Sequence, residues 1–112
     1  MKRVATHSVY LPDGGYLYRM VLELEQGVVT GIYPLDGELE NTSWLPGVII
    51  LPLEPEAAWR FLPPGQFVRS ESSKTHPEAL MQQALGRRAA YCADFDFSCW
   101  QAVGGTQHIQ WL

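Results

Sequence analysis

The sequence predicts a small mostly-β domain of the α+β class, a β-sandwich or open barrel with one helix near residues 77–87, and three observations predict it. Apolar residues alternate with polar ones, or run in short β-branched stretches, through most of the first half. Gly- and Pro-containing turn signals separate those stretches, and a helical period with capping residues occurs only once. A chain of 112 residues that is 46% hydrophobic and 18% charged has ample material for one packed core. We therefore expect residues 1–112 to form a single domain.

Arg3 to Leu11 places Val9 and Leu11 on one face and Thr6, Ser8 and Tyr10 on the other, then meets Pro12-Asp13-Gly14-Gly15, a strand running into a turn. Tyr16 to Glu25 repeats every second residue. Tyr16, Tyr18, Met20, Leu22 and Leu24 are expected on one buried face, with Arg19, Glu23 and Glu25 on the wet one. Gln26-Gly27 supplies a tight connection to Val28–Tyr33, which stops at Pro34, so the first three strands form a meander.

Leu35–Glu38 reads as a turn, and Trp44–Leu51 as a fourth strand. Its Val48–Leu51 stretch is apolar on both faces, which suits a central position. Glu54–Arg60 has the composition of one helical turn, and Ser70–Lys74 is the most loop-like stretch. Thr75-His76-Pro77-Glu78 is a capping box, from which a helix is expected to run from Pro77 to Arg87, burying Leu80, Met81, Ala84 and Leu85. Gly104-Gly105, flanked by Ser98–Val103 and Thr106–Leu112, predicts a closing hairpin.

Composition narrows the function classes. With 8 Lys and Arg against 12 Asp and Glu, the formal charge is −4 and no basic stripe follows a phosphate backbone, which argues against nucleic acid. The longest uncharged apolar stretch, Trp44 to Leu53, holds Pro46 and Pro52 and falls well short of the roughly 20 residues of a membrane-spanning helix. No secretory leader is evident, and two cysteines make no disulfide framework, so the expected compartment is the cytoplasm.

No catalytic constellation stands out. His7, His76 and His108 lack ligand spacing, and the acidic residues Asp36, Glu38 and Glu40 are too few and too loosely spaced for a calcium loop; a metal or other cofactor is not expected. Cys92 and Cys99 enclose Asp94, Phe95, Asp96 and Phe97 in a pattern that fits an extended structural segment better than redox or zinc chemistry. Two candidate sites remain. His76 and Glu78 adjoin the Ser70–Lys74 loop, where a small-molecule pocket is conceivable because loops carry function. Trp44, Trp59, Trp100 and Trp111 are many tryptophans for this length, and they either fill the core or form an exposed anchor for a protein partner.

The motifs Pro12-Asp13-Gly14, Glu25-Gln26-Gly27-Val28-Val29-Thr30-Gly31-Ile32 and Trp44-Leu45-Pro46-Gly47-Val48-Ile49 together resemble the N-terminal accessory β-domain, the composite domain, of amidohydrolases, the metal-dependent hydrolase family. The resemblance covers roughly residues 3–50 and implies a small β-domain completed by C-terminal strands. It implies no activity here. Val48-Ile49-Ile50-Leu51 stands where the family has its Asp-x-His-x-His ligands, and the chain lacks the length for a catalytic barrel of about 250 residues. The expected function is that of a non-catalytic β-domain standing alone, binding itself or a protein partner, with a small-molecule binder or minor enzyme as the alternative.

Overall fold

A computed structural model describes residues 2–12, 14–37, 42–52, 77–98, 101–103 and 109–112. Among these residues eight strands and one helix follow in the order β1 (Lys2–Leu11), β2 (Gly15–Glu25), β3 (Val28–Pro34), β4 (Ser43–Ile50), α1 (Pro77–Ala84), β5 (Ala90–Cys92), β6 (Phe95–Asp96), β7 (Gln101–Ala102) and β8 (Gln110–Trp111). This is the mostly-β fold with one helix that the sequence predicts. Its main sheet is open and mixed, with six strands in the order β3-β2-β1-β4-β5-β8, and β6 and β7 form a separate two-stranded ribbon.

The meander of β1, β2 and β3 is antiparallel throughout. Strand β4 then crosses to the far side of β1 and pairs with it in parallel, from Val4↔Ser43 to Tyr10↔Ile50. With β5 on its other edge, β4 is central, which explains why Val48, Ile49, Ile50 and Leu51 are all fully buried.

Each face of the sheet has its own core. On one face Val4, Val9, Leu11, Leu17, Met20, Leu22, Leu24, Ile49 and Leu51 pack with Leu80 and Ala84 of the helix. On the other, Tyr10, Val48, Ile50, Ala90 and Cys92 pack with Tyr16, Phe95, Phe97 and Ile109. We call these the helix face and the ribbon face. Burying one Leu- or Ile-sized side chain contributes about 1.5–3 kcal/mol, so both cores matter to stability.

Two expectations need correction. The helix stops at Ala84 rather than Arg87, because Gly86 adopts φ 83° and donates its N–H to Val29 O at 2.8 Å, turning the chain onto β3. Leu85 is consequently 47% exposed instead of buried. The expected closing hairpin turns on Gly104-Gly105, which lie outside the described residues; among those described, β7 pairs with β6 and β8 with β5. The Asp96 carboxylate accepts from Ser98 N at 2.9 Å and Ser98 Oγ at 2.6 Å, so a turn forms at Asp96–Ser98 and brings β7 back onto β6. Finally, Tyr16 and Tyr18 lie on the opposite face from Met20, Leu22 and Leu24, for a reason that also builds the candidate site.

Candidate functional site on the ribbon face

In a regular strand, residues two apart share a face. Yet Val4 and Val9, five apart, share the helix-face core, as do Leu17 and Met20, three apart. Both strands reverse their pleat at the same level, where His7 of β1 stands opposite Arg19 of β2, between the pairs Thr6↔Met20 and Ser8↔Tyr18. Arg19 accommodates the reversal with φ 53°, and its carbonyl accepts the Leu35 N–H at 2.8 Å. On the other side of β1, the register with β4 shifts between Thr6 and Ser8, opposite Pro46 and Gly47. Gly47 takes φ 108°, and its carbonyl accepts from Thr6 Oγ1 at 3.3 Å. A crease thus crosses three adjacent strands.

Beyond the crease, Tyr18, Ser8, Val48 and Cys92 form one row across the ribbon face, and Tyr16, Tyr10, Ile50, Ala90 and Trp111 the next. Ser8 is the small residue in its row, and the His7 ring lies by it, Nδ1 within 2.7 Å of Ser8 Oγ. His7 also meets Phe97 at 4.5 Å between ring centroids and Tyr18 at 6.4 Å with the planes 86° apart. Tyr10 and Tyr16 touch at 4.7 Å, Phe95 and Phe97 at 5.0 Å, and Tyr16 lies 6.3 Å from Tyr18 with planes only 16° apart.

Burial dominates the ionisation of Tyr16 and Tyr18. Burial, then the nearby Tyr10 and Tyr18 phenols, pushes the Tyr16 phenol well above its ordinary value, and burial raises Tyr18 as well. Both are neutral hydroxyls at physiological pH. Burial and the Asp94 carboxylate likewise raise the Cys92 thiol, although a hydrogen bond to Asp94 O at 3.5 Å opposes the shift. A buried thiol held protonated is a poor nucleophile, which agrees with the structural reading of Cys92.

Two of the four tryptophans fall within the described residues. Trp44 pairs with Ala5 while its neighbour Leu45 packs into the helix-face core, so the indole points to the ribbon side, 53% exposed. Trp111 pairs with Ala90, again on the ribbon side, and is 38% exposed beneath the Arg88 guanidinium, 4.8 Å from the ring centroid. Trp59, Trp100, His76 and the Ser70–Lys74 loop lie outside the described residues, as do Cys99, His108, Glu38, Glu40 and the Glu54–Arg60 segment. Glu78 is exposed in the first turn of α1. The structure therefore brings Trp44 and Trp111 to one face and leaves the pairing of His76 with Glu78 undescribed.

Sequence reasoning did not bring His7, Tyr18 and Phe97 together. The alternation of Tyr16 with Tyr18 and of Phe95 with Phe97 was the available signal, but only the pleat reversal shows that the two pairs share a face. Elsewhere, Arg3 Nη2 and Glu23 Oε2 form an ion pair of 3.0 Å, for which Gly31 leaves room beside the Glu23 side chain. An open depression of about 600 Å³ lies by Lys2, Leu24, Glu25, Gln26, Gly27 and Leu112. Among the described residues, no group of three or more His, Cys, Asp or Glu is placed to hold a metal ion, and no helix is long and apolar enough to cross a membrane. No protein family, curated protein or solved structure matches this chain.

Proposed function

We propose that this chain is a non-catalytic β-domain that binds a protein, either a second copy of itself or another partner, through the ribbon face of its sheet. The observation that carries this reading is the placement of Trp44 and Trp111 on that face, with 53% and 38% of their surface exposed. An indole on a strand has an apolar alternative, the core, and two exposed indoles on one face are the kind of anchor that dominates binding energy in interfaces. The resemblance to the amidohydrolase accessory domain belongs to the same proposal, supported by the β2–β3 connection falling on the motif at 25–32 and β4 on the motif at 44–49.

Light scattering of the purified chain across a concentration series tests it, together with pull-down by the tagged chain. The expected result is self-association, or a retained partner, that Trp44→Ser weakens by about 30-fold, the equivalent of a hot-spot loss of about 2 kcal/mol. A strict monomer at high concentration with no partner retained, or association indifferent to Trp44→Ser and Trp111→Ser alike, overturns the proposal.

A further inference from the structure

We infer that the crease between β1 and β2 carries a binding site for a planar, uncharged heteroaromatic ring, laid on the exposed face of Tyr18 beside the His7 imidazole. The first argument is backbone cost. Arg19 at φ 53° is a non-glycine residue in a left-handed conformation inside a strand, and both strands break their alternation at this one level. The reversal has a specific result: Tyr16 and Tyr18 join Tyr10, Phe95 and Phe97 on the ribbon face instead of entering the helix-face core with Met20 and Leu22. Irregularities of this kind re-aim side chains and cluster beside functional sites.

The second argument is geometric. Tyr18 is 48% exposed, with its plane nearly parallel to that of Tyr16 at 6.3 Å. A flat ring sandwiched between them needs two contact distances of about 3.5 Å each, more than the space available, so the ligand's place is the outer face of Tyr18. His7 stands at 86° to that ring and forms the wall of an angle whose floor is Tyr18. Because Ser8 Oγ occupies Nδ1, Nε2 is the imidazole atom left to hydrogen-bond a heterocycle. Among the described residues His7 meets Ser8, Tyr18 and Phe97, all uncharged, which favours a neutral ligand. Stacking fixes the plane, and the single hydrogen bond selects a ring bearing a polar edge.

Titration of the full chain with adenosine and with riboflavin, followed by the aromatic proton resonances in NMR, tests the site, with glucose as a non-planar control. Saturable shifts centred on Tyr18 and His7 are expected for at least one of the two planar probes, with Kd near the millimolar range that one stacked ring supports. Tyr18→Ala should weaken binding about ten-fold or more, while Tyr18→Phe retains it and His7→Phe keeps the stacking but loses selectivity between the two probes. Leu85→Ala, past the end of α1 and away from the ribbon face, should leave it unchanged. No saturable shift with either planar probe, equal shifts with glucose, or binding that survives Tyr18→Ala overturns the inference.

Discussion

Replacing Gly47 by alanine tests the crease directly. A Cβ at this position would lie 2.9 Å from Ala93 O and 3.1 Å from Ala93 Cα, and closer still to Cys92 O. All three are backbone atoms at the end of β5, and none can swing aside as a flexible side chain would. The residue also has φ 108°, which disfavours any L side chain by about 1–3 kcal/mol. Relieving the clash requires β5 to move off β4, where only Val48↔Cys92, Ile49↔Tyr91 and Ile50↔Ala90 pair. Losing one or two of those hydrogen bonds adds about 1 kcal/mol each. The expected destabilisation is therefore about 2–5 kcal/mol. Gly37 is the matched control, with φ 81° and open space around a new Cβ, so its alanine variant should cost only the backbone share, about 1 kcal/mol. Urea unfolding at equilibrium measures both. If Gly47→Ala falls within about 1 kcal/mol of Gly37→Ala, the close approach of β5 to the crease is refuted.

Two further outcomes follow from the same packing. Leu80→Ala should destabilise by about 2–4 kcal/mol, since Leu80 anchors α1 in the helix-face core, whereas Leu85→Ala should change stability by less than about 0.5 kcal/mol; equal effects in thermal melts would mean that the helix continues past Ala84. The folded protein holds the Tyr16 phenolic proton more tightly than the unfolded chain does, so that stabilisation is complete below the ordinary tyrosine pKa of about 10 and declines as pH rises through and above it. Tyr16→Phe should flatten this alkaline decline, and an unchanged pH–stability curve between 9 and about 12 would remove Tyr16 from the account.

Local signals in the sequence were sufficient for the local elements. Pro12 and Gly14 mark the first turn, Gln26-Gly27 the second, and Pro77 the helix start, each through a backbone preference that needs no distant partner. The helix end was misplaced because Arg87 and Arg88 suit a helix C-terminus, but Gly86 ends it earlier, and Arg87 instead donates to Leu51 O at 3.0 Å. Non-local pairing was not legible. Nothing in Ser43–Ile50 announces that it runs parallel to β1, and nothing local announces that β8 pairs with β5. The pleat reversal was hidden by its own regularity, since Tyr16, Tyr18, Met20, Leu22 and Leu24 form an unbroken even-numbered series that a single turned residue divides between two faces. Of the candidate site, the abundance of tryptophan could be read, but whether Trp44 and Trp111 face the core or solvent depends on strand neighbours.

The paired reversal also constrains how this chain can change length. His7 and Arg19 behave like two compensating frameshifts written into adjacent strands. Deleting either one alone would give its own strand a perfect alternation with every remaining side chain on its present face, and would leave the other as a one-residue bulge in the partner strand. Deleting both together would join Thr6 to Ser8 and Tyr18 to Met20, pairs that already point to opposite faces, and so give a regular hairpin with Tyr16 and Tyr18 still on the ribbon face. Deletions in this hairpin should therefore be tolerated at His7, at Arg19 or at the Gln26-Gly27 turn, and an accepted single-residue indel elsewhere in β1 or β2 should come with a wholesale exchange of apolar and aromatic residues along one strand.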